Sequence, residues 1–309
     1  MADEISCKTC SDPDIDRLNA HVYLFGYPIA HSISPLFHQT VYDALGLKWS
    51  QLPLPSTDMA HFLDLVRHPR CVGSAVTMPH KVAILPFLDD MTAECKAVGA
   101  CNTIFRRNGR LIGTNTDTIG VRESFLRNVP DQLWQGKPGL VIGGGGAARS
   151  AVYALVQFLG CQKVYLVNRD AAEVEAVICW CQAQGYGDGL VHVATPAQAA
   201  ALEGPGAIVA CVPNFPPVTQ AEIDARRVTE VFLEKPHKGA ILEMCYHPEP
   251  WTEIAEISKR AEWQVILGTE AVIYQGIEQD HYWTGRDRSE LPVRETQAVV
   301  AKELSKARL

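Results

Sequence analysis

A lysine follows the end of a strand-like segment in the stretch GSAVTMPHK, residues 73–81. The apolar, β-branched run ends at Thr77, Pro79 interrupts it, and Lys81 comes two residues later. An amine at this place is either solvated at the surface or held at the rim of a cleft, where it can donate or accept a proton. The protonation state that Lys81 would have in such a cleft does not follow from the sequence.

A glycine-rich stretch, GGGGAARSA, follows the strand-like run LVI and opens a helix-like segment. Glycines in this order allow a tight turn and a close approach of the backbone to a pyrophosphate, which the free N–H groups of the helix N-terminus can bind. A plain tight turn is the alternative, but the order of strand, glycines and helix favours a dinucleotide site. The predicted contacts are Gly143, Gly144, Gly145, Gly146, Ala147 and Ala148.

The next strand-like run ends in Asn168, Arg169 and Asp170, where a dinucleotide-binding fold meets the adenine ribose. An acidic residue here suits the ribose hydroxyls of NAD, whereas an arginine suits the extra phosphate of NADP. Glu173 and Glu175 follow without a further cation, and their charges disfavour a phosphate. We therefore predict NAD as the cofactor and regard NADP as the less favoured alternative. Arg169 would then stack on the adenine.

Polar residues also cluster at four predicted strand ends or turns in the first half of the chain. Each cluster alone is typical of caps and turns. Together they predict one polar pocket, because each cluster would face the same side of a sheet. The clusters are HSISP, VTMPHK, GACNT and GTNTDTIG.

The elements that must position these residues alternate between strand-like and helix-like runs from His21 onward. This alternation predicts an α/β fold with a parallel sheet covered by helices on both faces. Asn108-Gly109 predicts a hairpin, and Ser34 is a predicted helix N-cap. Late strands are predicted at AIVACV, EVFLE, AILEMCY and WQVILG, followed by helices from about Glu270 and from about Arg294.

Size and composition set further bounds. The 309 residues suggest two domains, and 47% hydrophobic with 20% charged residues is typical of a globular protein. A net charge of −7 without a basic block argues against nucleic acid as a partner, and we expect neither a membrane span nor a secretory signal. The ten scattered cysteines are typical of reduced thiols in the cytoplasm. The Cys7–Cys10 pair lacks a second ligand pair, so we predict no metal.

These blocks, in this order, resemble the shikimate/quinate dehydrogenase family over about residues 21–285. Ser32 to Pro35 resembles the S-x-S-P motif, and residues 75–81 resemble N-V-T-x-P-x-K. The further matching blocks are 99–103 for G-A-x-N-T, 113–120 for G-x-N-T-D-x-x-G, 143–149 for the glycine turn, and the late segments EMCYHP and LGTEAVIYQ.

The resemblance implies an N-terminal α/β substrate-binding domain and a Rossmann-type, doubly wound nucleotide-binding domain with a cleft between them. The implied parts are a tail over 1–20, a substrate-binding and catalytic domain over 21–117 plus about 270–309, and a nucleotide domain over 118–269. The family's reaction is hydride transfer between quinate or shikimate and a nicotinamide, by a monomer or homodimer. The implied catalytic pair is Lys81 and Asp117. The implied substrate-binding residues are Ser32, Ser34, Thr77, Asn102, Tyr246 and Gln275, and Cys211 and Gly268 join the cofactor contacts.

Departures from the family's pattern bear on the substrate rather than on the reaction. Ala75 replaces the usual asparagine, CVPNFPP replaces a small polar loop, and Glu270-Ala271 replaces a common Gly-Met pair. These changes favour a quinate-type, catabolic member. The alternative function is a regulatory protein of the same family that binds the metabolites without catalysis. Retention of Lys81, Asp117 and the glycine turn argues against it.

Overall fold

The structure, a computed structural model, describes residues 15–30, 32–246 and 249–306, without the side chains of 305 and 306. The Cys7–Cys10 pair and most of the predicted N-terminal tail lie outside these residues. Within these ranges, no helix combines the length and the hydrophobicity needed to cross a membrane.

The first sheet is mixed and holds six strands in the order β2-β1-β3-β5-β6-β4. Parallel pairing joins β1 to β2 and β3, while β5 is antiparallel to β3 and β6. The predicted hairpin at Asn108-Gly109 connects β5 and β6, and Asn108 has the positive φ that such a turn requires. The strands are β1 (Ala20–Gly26), β2 (Trp49–Pro55), β3 (Cys71–Val76), β4 (Asp90–Met91), β5 (Thr103–Arg107) and β6 (Arg110–Thr114).

Short helices connect these strands. Asp58 caps the second of them by accepting a hydrogen bond from the His61 N–H, and Thr92 caps the fourth through the Cys95 N–H. The helices are α1 (Ser34–Ala44), α2 (Met59–Val66), α3 (His80–Ala83), α4 (Ala93–Val98) and α5 (Asp117–Asn128), with a 3₁₀ turn at Leu85–Phe87.

The second sheet is parallel throughout, with the order β12-β11-β10-β7-β8-β9. Read from β9, this is the doubly wound arrangement of dinucleotide-binding domains, with the strand order reversing between β7 and β10. The strands are β7 (Gly139–Ile142), β8 (Val164–Val167), β9 (Leu190–His192), β10 (Ala207–Ala210), β11 (Ala240–Glu243) and β12 (Gln264–Leu267). The central four strands are buried along their whole length, as expected for a sheet covered on both faces.

Helices cover both faces of the second sheet and then return to the first. They are α6 (Gly146–Tyr153, continued as a π-helix over Ala154–Phe158), α7 (Ala171–Ala183), α8 (Pro196–Ala201), α9 (Gln220–Leu233), α10 (Glu253–Arg260), α11 (Gly268–Thr284) and α12 (Val293–Lys306). Further 3₁₀ turns lie at Asp131–Leu133 and Arg288–Glu290.

The last two helices complete the core of the first sheet. Ile273 of α11 and Val300 of α12 belong to the same buried cluster as Val22 of β1 and Phe37 of α1. The fold class predicted from the sequence, two α/β units with a doubly wound second sheet, is confirmed.

Two local predictions were wrong. The segment 230–234, EVFLE, is not a strand but the last turn of α9, because Thr219 and Glu222 form a capping box that starts a helix long enough to include it. Ser34 does not cap α1; it is the first residue of the helix, and its hydroxyl donates to Gln51 Oε1 at 2.7 Å.

Truncation of Ile273 tests the packing of α11 onto the first sheet. Its side chain is 3% exposed, so Ile273→Ala should lower the free energy of unfolding by about 2–5 kcal/mol. Chemical denaturation measures this loss. Val191→Ala is the control, since Val191 is 38% exposed and should change stability little. Equal effects of the two substitutions would contradict this packing.

Candidate active site

Lys81 and Asp117 form an ion pair at the edge of the first sheet. Lys81 Nζ donates to Asp117 Oδ2 at 2.6 Å, and the two side chains are 32% and 14% exposed. The cleft-rim interpretation of Lys81 therefore agrees with its position, because a freely solvated lysine would not be held by a half-buried carboxylate. The pair presents a proton-carrying group beside a fixed negative charge.

Lys81 is held in place by its neighbours on α3. The His80 ring stacks on Phe25, with ring centroids 4.2 Å apart, and its Nε2 lies 3.1 Å from the Ser56 carbonyl oxygen. The Lys81 carbonyl accepts a hydrogen bond from the Cys101 N–H at 2.7 Å. A four-residue helix gives little order by itself, so these contacts position the lysine.

Asn102 holds the carboxylate from the other side. Its Nδ2 donates to Asp117 Oδ1 at 2.9 Å and also contacts Gln275 Oε1 at 3.2 Å. Its Oδ1 accepts from the Thr116 N–H at 2.8 Å, which determines which way the amide faces. Both oxygens of Asp117 thus have a donor, and the carboxylate has a defined orientation.

A first cavity of about 140 Å³ opens onto this pair. All the residues that the sequence predicted for catalysis and substrate binding line it. These are Ser32, Ser34, Thr77, Lys81, Asn102, Asp117, Tyr246 and Gln275. Its size suits a small molecule, and hydroxyl, amide and charged groups on its wall can bind a polar ring.

Tyr246 approaches this cavity from the second sheet, just beyond β11, whereas Lys81 belongs to the first. Burial raises the pKa of the Tyr246 hydroxyl, and the charges of Cys245 and Asp117 raise it further. The phenol therefore stays protonated and remains a hydrogen-bond donor over the physiological range.

Sequence reasoning missed two polar residues on the wall of the first cavity, His38 and Gln279. Each lies four residues after a predicted ligand, His38 after Ser34 on α1 and Gln279 after Gln275 on α11. Residues four apart share a face of a helix, so helical spacing could have identified both.

A second cavity of about 460 Å³ lies at the carboxyl ends of the strands of the second sheet. It is lined by Gly143, Gly144 and Gly145, and by Asn168, Arg169 and Cys211, all predicted cofactor contacts. It lies at the switch point between β7 and β10, where doubly wound sheets bind their ligands.

The glycine turn fits a dinucleotide. Gly143 has a φ of +133°, and a Cβ there would lie 3.2 Å from the Cys211 carbonyl oxygen, so a side chain would be strained and crowded. Among the described residues, a Cβ at Gly145 or Gly146 would meet nothing within 4 Å. The N-terminus of α6 therefore faces open space, where a pyrophosphate can reach its N–H groups.

The other predicted cofactor residues lie near this cavity without lining it. Gly146, Ala147 and Ala148 form the first turn of α6, and Ala148 is buried with its N–H donated to the Gly145 carbonyl. Asp170 caps α7, accepting from the Ala172 N–H at 2.8 Å. Gly268 is buried at the start of α11, where a Cβ would lie 2.5 Å from the Met244 carbonyl oxygen. Their contact with a cofactor stays a prediction.

Two arginines on the wall of the second cavity are each paired with a glutamate. Arg169 forms an ion pair with Glu222 of α9, and Arg226 pairs with Glu253 at 3.0 Å. Hydrogen bonds from the Thr219 and Val218 N–H groups, together with Arg169, lower the pKa of Glu222 to about 2. Glu222, Arg226 and Glu243 line this cavity but were not predicted from the sequence.

Glu243 is the buried acid of this region, 1% exposed at the end of β11. Burial raises the pKa of its carboxyl group to about 7. Its two oxygens accept from the Cys245 N–H at 3.0 Å and from the Thr252 hydroxyl at 2.9 Å. These bonds connect the two ends of the loop that carries Tyr246.

Comparison with known proteins identifies the family. Residues 24–104 match the shikimate dehydrogenase substrate binding domain. The chain is 48% identical over 308 aligned positions to a quinate dehydrogenase of Emericella nidulans, with 92% of this chain and 94% of the relative covered. The chain belongs to the shikimate/quinate dehydrogenase family. This confirms the resemblance found in the motifs, and the protein is an oxidoreductase.

Two solved structures show the same fold. A quinate dehydrogenase from Corynebacterium glutamicum in complex with NAD has a TM-score of 0.77 at 21% identity, with 92% of this chain and 99% of that chain covered. A shikimate 5-dehydrogenase from Thermus thermophilus in complex with NADP(H) and shikimate has a TM-score of 0.72 at 28% identity, with 91% and 99% covered. One of these two structures was solved with NAD and the other with NADP(H).

Glu243→Gln tests the buried acid through the pH dependence of stability. A raised pKa means that the folded protein holds a proton that the unfolded chain releases. The stabilisation that Glu243 contributes is therefore complete below pH 4.5 and is lost as the pH rises to about 7. Glutamine does not titrate. Between pH 4.5 and about 7, the free energy of unfolding of the wild type should fall by up to about 3 kcal/mol relative to that of the variant. Chemical denaturation at each pH measures this difference.

The control is Glu234→Gln, which changes an exposed glutamate at the end of α9. Its unfolding free energy should follow that of the wild type at every pH. Parallel curves for Glu243→Gln and the wild type would show that Glu243 does not titrate in this range.

Proposed function

We propose that the enzyme is a quinate/shikimate dehydrogenase that oxidises the ring hydroxyl of quinate to give 3-dehydroquinate, or that of shikimate to give 3-dehydroshikimate, and reverses both reactions. The observation that carries the proposal is the 2.6 Å pair of Lys81 and Asp117 on the wall of a polar cavity for a small molecule. The identity with a quinate dehydrogenase supports the same reaction.

Among the residues described on the wall of this cavity, Lys81 is the proposed acceptor for the proton of the reacting hydroxyl. The neutral amine of Lys81 takes the proton when the alcohol is oxidised, and the ammonium form returns it when the ketone is reduced. Asp117 orients the ammonium group and balances its charge, and Asn102 holds Asp117 in turn. A bound nicotinamide supplies the hydride chemistry.

The remaining polar groups of the first cavity position the ring. Ser32 and Ser34 lie together at the start of α1, with the Ser34 N–H donating to Ser32 Oγ at 3.2 Å, and suit a carboxylate. Thr77, Gln275 and Tyr246 are the proposed partners of the ring hydroxyls. Ala75 also lines the cavity, where the family commonly has asparagine, which supports a quinate-type member.

A division into two lobes follows from the same arrangement. We assign residues 21–117 and the returning helices from about 270 to substrate binding, and residues 118–269 to the cofactor. The buried cluster that joins α1, α11 and α12 supports this division. In this division, the first cavity binds the substrate in one lobe and the second cavity binds the dinucleotide in the other.

The cofactor is a nicotinamide dinucleotide, and we propose that it is NAD. Structures of the same fold solved with NAD or NADP(H) support a nicotinamide dinucleotide as the cofactor. The choice rests on charge, because Arg169 and Arg226 are already paired with Glu222 and Glu253. The extra phosphate of NADP would have to displace a carboxylate from one of these arginines and accept the repulsion.

Lys81→Met tests the catalytic assignment. The variant keeps the length of the side chain but cannot carry a proton, so kcat for quinate should fall by about 10²–10⁴-fold. Absorbance of the reduced nicotinamide measures the rate. Lys96→Met, which alters an exposed lysine of α4, should leave it unchanged. A Lys81→Met enzyme of nearly normal kcat would refute the role.

The same assay separates the dehydrogenase from the regulatory alternative. The wild type should reduce NAD in the presence of quinate, shikimate or both. Calorimetric binding of these acids without any reduced cofactor would favour a non-catalytic metabolite sensor.

Glu222→Gln tests the basis of cofactor choice. Glutamine still serves the capping box of α9 but no longer neutralises Arg169, so the kcat/KM ratio of NADP to NAD should rise roughly tenfold. Glu256→Gln, which releases Arg260 from an exposed pair on α10, is the control and should leave the ratio unchanged. A constant ratio in Glu222→Gln would rule out this explanation.

A further inference from the structure

An acid and a histidine form a buried pair in the first lobe, with His38 on the wall of the first cavity and Asp280 behind it. Asp280 is fully buried and His38 is 1% exposed, and His38 Nδ1 lies 2.9 Å from Asp280 Oδ2. Burying such polar groups is unfavourable unless hydrogen bonds or ion pairs compensate for the lost hydration. Neither residue has a part in the function proposed above.

A continuous path of hydrogen bonds leads from this pair to Asp117. His38 Nε2 lies 3.2 Å from Gln279 Oε1, and Gln279 Nε2 donates to the Thr103 hydroxyl at 2.9 Å. The Thr103 hydroxyl donates to Asn102 Oδ1 at 2.8 Å, and Asn102 Nδ2 donates to Asp117 Oδ1 at 2.9 Å. All the residues before Asp117 on this path are 5% exposed or less.

The bonds of this path all point the same way. Gln279 turns its carbonyl to His38 and its NH₂ to Thr103, which leaves the Thr103 proton for Asn102. This order requires a proton on His38 Nε2. If that nitrogen were bare, the Gln279 amide would turn round, and the Thr103 hydroxyl would donate to Gln279 instead of Asn102.

Asp280 favours the required proton. Burial raises the pKa of the Asp280 carboxyl group, although His38 and Tyr42 oppose the rise. Because both side chains are buried, a form of the pair without net charge is favoured over one that carries a charge. That form is either a carboxylate with an imidazolium or a carboxylic acid with a neutral imidazole that accepts at Nδ1. In both cases Nε2 carries a proton and donates to Gln279.

We propose that His38, oriented by Asp280, is a positioning residue for Asp117 that acts through Gln279, Thr103 and Asn102. With the path intact, Asn102 Oδ1 accepts from both Thr103 and Thr116, which polarises its NH₂ group toward the carboxylate that holds Lys81. The inference rests on the proposed dehydrogenase function for its effect on turnover, but the direction of the hydrogen bonds does not depend on it.

Substitutions at Thr103 test the path without changing its shape. Thr103→Val removes only the hydroxyl and should lower kcat for quinate roughly tenfold, with less than a twofold change in KM. Thr103→Ser restores the hydroxyl and should restore kcat. Thr296→Val makes the same change at a fully buried threonine of α12, whose hydroxyl donates to the carbonyl oxygens of Pro292 and Val293, and should leave kcat unchanged.

A double-substitution cycle separates positioning from a general loss of structure. His38→Phe keeps a ring beside Phe37 and Trp283 but has no Nε2, and should also lower kcat. In the Thr103→Val background it should lower kcat no further, because the path is already broken. The proposal would be overturned if the double variant lost the product of the two single-variant reductions in kcat. It would also be overturned if Thr103→Val kept the kcat of the wild type. If His38→Phe does not fold, the kcat values of the Thr103 variants test the proposal without it.

A spectroscopic measurement keeps the inference independent of activity. In protein with isotope-labelled histidine, nuclear magnetic resonance at neutral pH should show His38 protonated at Nε2. A bare Nε2 would overturn the proposal even in an active enzyme. If the wild type reduces no cofactor with either acid, the proposed function fails, and the state of Nε2 still decides the direction of the path.

Discussion

The ion pair between Lys81 and Asp117 is the interaction on which the site depends. A charged pair at this depth is stable only if the remaining hydrogen-bonding capacity of the carboxylate is satisfied. Asn102 satisfies it with a hydrogen bond of 2.9 Å, and Asn102 in turn is held by the Thr116 N–H. The backbone at the start of α5 therefore fixes the acid, and the acid fixes the amine.

The sequence predicted part of this site because some of its residues directly follow or precede strands, whereas Ser34 and Gln275, which lie in helices, were implied by the family resemblance. Thr77 comes after β3, and Asn102 comes just before β5, so the ends of the strands bring them together without long-range information. His38 and Gln279 are different. They lie within two helices far apart in the sequence, and only the packing of α1 against α11 shows that they meet. A single sequence does not contain that contact.

The misassigned strand at 230–234 and the missed Glu222 have one cause. The apolar run VFL within EVFLE favours a strand when taken alone, although the capping box at Thr219 and Glu222 starts a helix that includes it. The same glutamate also pairs with Arg169 across the second cavity. Glu222 thus caps its own helix and also pairs with a residue that is distant in the sequence. The local sequence pattern indicates the capping role but not the ion pair.

The junction of the two lobes explains how one pair can serve both cavities. Asp117 begins α5, the helix that leads from the first sheet to the second, and α5 packs tightly along α11, which leads back. At Gly120 a side chain is excluded, because a Cβ would lie 2.6 Å from the Ala271 carbonyl oxygen. The start of α5 is therefore clamped by the returning helix. Asp117 and Lys81 are thus held together at the edge of the first sheet, whereas Tyr246 and the glycine turn follow strands of the second sheet.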